Sequence, residues 1–153
     1  MCAVESPTGA DPTRESGPAE AAPGRGFSRA AAARIVGLAP SALSRWERVL
    51  FDRAGLELGA TLTFADLVAL AVLSATERCL GAGTDAFAAG HAQVFDLLRD
   101  RADVEHLDGY AALVSRDEGH IAERYDHEIC ATTDILVIPL RPILANFRGQ
   151  AFA

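Results

Sequence analysis

The stretch FADLVALAVLSATERCL, residues 64–80, constrains the fold more than any other. It is apolar around much of a helical circumference, and such a helix has to be enclosed by other elements. Thr63 stands before it as a cap, with Asp66 three residues on in a capping-box position. Gly81 and Gly83 stop it. The rest of the chain must therefore supply apolar faces to cover one central helix. No run approaches about 18 uninterrupted apolar residues, so this is read as a core helix and no membrane span is expected.

The covering elements can be read on either side. Residues 1–26 hold four prolines, four glycines and no aromatic residue. A segment with so little to bury is read as a disordered tail. Structure is expected from Phe27. Ser28 caps a helix through RAAAARIV, and Gly37 ends it. A second helix runs from about Pro40 to Phe51, with proline at its first position, where a missing N–H does no harm. LELGATLT, residues 56–63, is short and alternating, and predicts a small hairpin or wing. After the central helix, Thr84 restarts a helix to about Arg101, with Phe87, Val94, Phe95 and Leu98 on one side.

The last third changes character. YAALV and HIAERY flank the polar SRDEG and predict a hairpin. ILVIPL reads as a buried strand, limited by Pro139 and Pro142. RPILANF predicts a helical turn or two. The fold class expected is mainly α with small β elements (α+β), a winged helix-turn-helix plus a C-terminal hairpin and strand module. The boundaries expected are a tail over 1–26, a first domain over 27–103 and a C-terminal module over 104–153.

Charge is uneven along this plan. The 153 residues carry a net charge of −7, and all 14 basic residues are arginine. That balance excludes a histone-like basic coat. Residues 27–60, however, hold five Arg against three acids, whereas 61–109 hold three Arg against eight. The basic surplus coincides with the second helix. At about 100° per residue, Leu43, Trp46 and Leu50 share one face, and Ser41, Ser44, Arg45 and Arg48 the other. Arginine can grip phosphate or bond guanine through two donors, and serine can bond phosphates or base edges. Arg29 and Arg34 on the preceding helix are placed to hold the DNA backbone. The plain alternative is an amphipathic helix whose polar front is only solvated.

ARIVGLAPSALSRWERVL resembles the N-terminal motif of MerR-like regulators, A-x-x-x-G-V-S-P-S-T-L-R-Y-Y-E, at Gly37, Pro40, Ser41, Leu43 and Glu47, with Trp46 in place of an aromatic. LTFADLVAL resembles the segment after that family's wing. The resemblance covers about residues 27–100. It implies a second helix in the major groove, a wing on the backbone, and dimers on near-palindromic sites. It therefore implies a sequence-specific, dimeric transcriptional regulator whose partner is double-stranded DNA. There are departures. Ala39 stands where the family has a capping Ser, and Ser44 and Arg45 stand where it has Arg and an aromatic. The long dimerisation helix is missing, so the chain is more similar to short members with a compact C-terminal module. The alternative is a protein-interaction or antitoxin-like module that keeps this shape without reading DNA.

Other chemistry is thin. Asp117, Glu118, His120, Glu123, Asp126, His127 and Glu128 crowd together, but their spacing matches no ligand set such as H-E-x-x-H. Neither G-x-S-x-G nor a P-loop nor a dinucleotide fingerprint is present. No catalytic residue, metal site or cofactor is assigned. Cys2, Cys79 and Cys130 form no C-x-x-C pair, and Cys79 is expected to be a buried small hydrophobe. His91 is expected partly buried in the core, and His106 in an acidic loop. With no charged-then-apolar leader at the N-terminus, a reducing cytoplasm is expected. Ile135, Val137, Ile138, Leu140, Ile143, Leu144 and Phe147 are expected to complete the protomer's core in part, and in part to form a dimer or partner interface.

Overall fold

A helix that is apolar all round needs neighbours on every side, and the chain supplies them from both ends. The structure, a computed structural model, describes residues 26–123 and 134–151. Within these, the order is α1 (Arg29–Val36), α2 (Pro40–Ala54), α3 (Phe64–Leu80), α4 (Ala88–Arg99), β1 (Ala111–Val114), β2 (Gly119–Ala122), β3 (Leu136–Pro139) and α5 (Arg141–Ala151). The architecture is mainly helical with one small antiparallel sheet, as the sequence predicts at that level. The tail over 1–25, and Asp126, His127 and Glu128, lie outside the described residues.

The central helix α3 begins as its sequence dictates. Thr63 Oγ1 accepts from the Asp66 N–H at 3.1 Å, and Asp66 Oδ2 accepts from the Thr63 N–H at 3.0 Å. This capping box satisfies two N–H groups that the helix itself cannot. Asp66 is buried, and Arg99 Nε donates to its other oxygen at 2.7 Å. One carboxylate thus starts α3 and fastens it to the end of α4. From Ala65 to Ser74 every side chain of α3 is buried.

α4 lies against the β1–β2 hairpin through backbone rather than side chains. A methyl on Gly90 would overlap the Ser115 carbonyl oxygen, and one on Gly119 would overlap the Gly90 carbonyl. Gln93 fastens this close contact: its Nε2 donates to Asp117 O at 3.2 Å and its Oε1 accepts from the Gly119 N–H at 3.0 Å. The sheet order is β2-β1-β3, with Val114 opposite Gly119 on one side and Leu136 on the other. After β3, Leu140, Leu144 and Phe147 enter the same buried cluster as Trp46, Leu70 and Phe95. Phe147 meets Phe64 edge-on at 6.0 Å between ring centroids, a favoured aromatic geometry. Arg148 forks onto Asp108 at 2.7 and 2.8 Å, and Gln150 Nε2 donates to Ile35 O at 3.0 Å. The last helix is therefore tied back to both the pre-sheet loop and α1.

Several expectations are corrected. No hairpin forms over 56–63; Leu56, Leu58 and Leu62 all turn into the core, and the only strand-like pairing there is a single bridge from Leu62 to Phe27. The alternation is real, but the inward residues serve α1 and α2 instead of a partner strand. Residues 81–87 form a 3-10 segment, so the following α-helix starts at Ala88 and not at Thr84. α2 runs on to Ala54, where Gly55 at φ +69° closes it. The C-terminal helix is 11 residues long rather than a turn or two. Cys79 is exposed, because the last turn of α3 extends past the elements that cover the rest of the helix.

Candidate nucleic-acid interface

Two short helices and their link build the candidate surface. Ser28 Oγ accepts from the Ala31 N–H at 3.1 Å and starts α1. Gly37, at φ +84°, ends it, and its N–H returns to Ala33 O at 2.9 Å. That left-handed conformation suits glycine and turns the chain within three residues into α2. Ala39 makes no side-chain cap, as its identity requires, and Pro40 takes the first helical position.

α2 is two-faced as expected. Leu43, Trp46 and Leu50 are buried, the last two completely. Ser41, Ser44 and Arg48 are exposed on the opposite face, and Arg34 is exposed at the end of α1. These four side chains are brought to solvent together with no ion pair to Arg34 or Arg48 among the described residues.

Arg29 and Arg45 are placed differently from the expectation. Arg29 is paired with Glu47, and its Nη2 donates to the Leu58 and Gly59 carbonyls at 3.3 and 3.2 Å. Its donors hold α1, α2 and the 56–62 segment to one another. Arg45 Nη2 donates to Glu77 Oε2 at 3.0 Å and its Nη1 to Asp85 Oδ1 at 3.3 Å. Its guanidinium also lies 4.5 Å from the centre of the Trp46 ring. Trp46 Nε1 donates to the same Glu77 oxygen. Glu77 thus receives an indole N–H from the core and a guanidinium from the surface. Sequence reasoning missed Glu77 and Asp85, which stand 32 and 40 residues from Arg45. Neither helical period nor local charge count links such distant positions.

Phe51 was also missed. It is 50% exposed, next to Arg48 on α2. Beside it lies an open groove of about 440 Å³ lined by Arg29, Glu47, Arg48, Leu56 and Leu58. An exposed phenylalanine can pack against an apolar surface such as a thymine methyl.

The acidic and histidine positions do not converge. Asp117 and Glu118 are exposed in the β1–β2 turn, His120 is exposed on β2 and Glu123 just past its far end, and no group of three or more metal-ligating side chains forms among the described residues. His106 is exposed. His91 is fully buried, further in than expected, and neither ring nitrogen has a hydrogen-bond partner among the described residues. Burial holds its pKa down to about 4, so the ring is neutral at neutral pH. Of the C-terminal apolar set, Leu140, Leu144 and Phe147 are buried in the protomer's own core and cannot face a partner. Ile135, Val137, Ile138 and Ile143 are half-buried. No helix among the described residues is long and apolar enough to cross a membrane.

Comparison of the chain with protein-family models, with curated proteins and with solved structures finds no match.

Proposed function

We propose that this protein is a sequence-specific DNA-binding transcriptional regulator, with α1 and α2 acting as a helix-turn-helix of the MerR-like kind. The observation that carries the reading is the exposed face of α2. Ser41, Ser44 and Arg48 stand in a row on a helix whose reverse face is sealed into the core. A helix fixed from behind can enter the major groove without deforming, and Arg48 offers the forked donor that guanine accepts. Arg34 lies where a phosphate contact would set the register. In this reading the 56–62 segment takes the place of the wing as an irregular loop. Paired reading heads would sit one helical turn of DNA apart, joined through the half-buried Ile135, Val137, Ile138 and Ile143.

Selection from a randomised duplex pool tests the reading. The wild type should enrich a defined site, and two half-sites if it is dimeric. Arg48→Ala should then weaken binding to that site by roughly ten- to a hundredfold, as loss of a base-reading arginine does. Undiminished binding by a folded Arg48→Ala protein defeats the assignment.

A second reading, a protein-interaction module of antitoxin-like type, is favoured by one observation. Phe51 stands half exposed beside a groove lined by Leu56 and Leu58 together with Arg29, Glu47, Arg48 and Glu57, a mixed apolar and charged surface that a protein partner could use. It predicts no enriched duplex and a protein partner whose binding is lost in Phe51→Ala.

A further inference from the structure

We propose that Glu77 and Asp85 withhold Arg45 from DNA, so that Arg48 is the reading arginine and Arg45 is held in reserve. The inference rests on the DNA-binding reading above. By position alone the two arginines are equivalent, three residues apart on the front of one helix. The tertiary structure separates them. Both terminal nitrogens of Arg45 are engaged, one by each carboxylate, at 3.0 and 3.3 Å. Those are the atoms a bidentate contact to guanine or phosphate would use. Glu77 is itself oriented by the N–H of a wholly buried tryptophan, so its position is set from inside the core. The Trp46 ring supports the guanidinium from one side.

Charge points the same way. One cation between two carboxylates leaves this corner of the reading head net negative. A DNA phosphate approaching Arg45 therefore meets repulsion from its two bound carboxylates, whereas Arg48 and Arg34 form no ion pair among the described residues. The three side chains remain 33–40% exposed, so the cluster lies at the surface where DNA would pass. Glu77 and Asp85 are accordingly specificity-determining residues. They limit the contacts available to the helix and turn its front face toward the Arg48 end.

The test is a four-member cycle: wild type, Arg45→Ala, Glu77→Gln/Asp85→Asn, and the triple variant. Arg48→Ala serves as the control for DNA reading. Fluorescence anisotropy with a labelled duplex, the selected site or else the randomised pool, is followed from 50 to 200 mM salt. Arg45→Ala should keep the wild-type salt slope, with affinity lowered only by the repulsion of the two carboxylates it leaves uncompensated. Glu77→Gln/Asp85→Asn should bind more tightly, with a slope steeper by about 0.9, which is about threefold extra affinity change across that range. The triple variant should lose this increment of slope. Glutamine keeps an acceptor for the Trp46 N–H, and circular-dichroism melts check folding. If the double variant is unfolded, Asp85→Asn alone carries the test, since the Asp85 carboxylate touches Arg45 and not Trp46.

A shallower salt slope in Arg45→Ala than in the wild type overturns the proposal, as does a slope increment that persists in the triple variant or no increment at all. Wild-type binding that depends on Arg48 but shows no gain overturns this inference and leaves DNA reading standing. No binding by the wild type, with Arg45-dependent binding by the neutralised variant, supports the withholding and overturns DNA reading by the native chain. No binding by either overturns both.

Discussion

Replacing His91 with leucine should raise stability at neutral pH and remove a specific acid sensitivity. The imidazole is fully buried and neither nitrogen has a partner among the described residues. A buried polar group left without a hydrogen bond costs about 1–3 kcal/mol. Leucine removes that cost, against an overpacking or shape cost of about 1 kcal/mol for an imperfect swap. The net expectation at pH 7 is a gain of about 1 kcal/mol. The pH dependence is the sharper test. The folded pKa is lowered from 6.5 to about 4. Above pH 6.5 the ring is neutral in both states and this term is silent. Between 6.5 and 4 the unfolded chain takes up a proton that the folded protein refuses, so stability falls as the pH falls. Below about 4 the folded protein is protonated too, and the loss levels off. At about 1.4 kcal/mol per unit, the wild type loses about 3 kcal/mol through this group, and His91→Leu loses none of it. Urea unfolding followed by fluorescence of Trp46, the sole tryptophan, should show the two proteins diverging as pH drops from 7 to 4. Parallel pH profiles would refute the reasoning, whatever the offset between them. So would a leucine variant less stable than the wild type by 2 kcal/mol or more, a magnitude that signals a better-fitted site than described.

Other consequences are open to simple measurements. Gly90→Ala forces a methyl onto the Ser115 carbonyl and should destabilise by about 1–3 kcal/mol in urea titration, with hairpin amides exchanging faster. Thr63→Ala removes one arm of the capping box and should lower stability by about 1 kcal/mol, whereas Thr63→Ser should lose much less. The Arg148 fork holds the Asp108 carboxyl below its ordinary range; carboxyl-carbon NMR should show it titrating low in the wild type and returning upward in Arg148→Gln. An unshifted Asp108 in the wild type would mean the fork does not persist in solution.

What could be read from sequence was what neighbours decide. Thr63 and Asp66, Ser28, and Gly37 announce helix ends through groups three or four residues apart, and each behaves as its chemistry requires. The hairpin around SRDEG follows from its turn residues in the same way, and the apolar run ILVIPL gives a strand over Leu136–Pro139, though it is half-buried and not buried as expected. What misled was pattern without partner. Leu56, Leu58 and Leu62 alternate like a strand, yet only Leu62 finds a partner, in a single bridge to Phe27. Cys79 continues an apolar helix that has outrun its cover. Arg45 and Arg48 are interchangeable on a helical wheel, and only the folding-back of α3 and the 81–87 segment distinguishes them. Leu140, Leu144 and Phe147 were legible as apolar, but their destination in the protomer's own core depends on α5 reaching α1 and α3.

That last arrangement also fixes when the protein can fold during synthesis. Leu140, Leu144 and Phe147 share one buried cluster with Phe27, Leu70 and Phe95. A chain that has left the ribosome only as far as residue 103 holds α1 to α4, but the apolar surface meant for α5 is bare. Nascent domains generally fold as units, and incomplete ones present sticky surface. Here the unit is complete only after Phe147 emerges, so α1 and α2 have to wait for α5. Pausing translation between residues 103 and 147 is therefore the interval in which this protein is most exposed to aggregation.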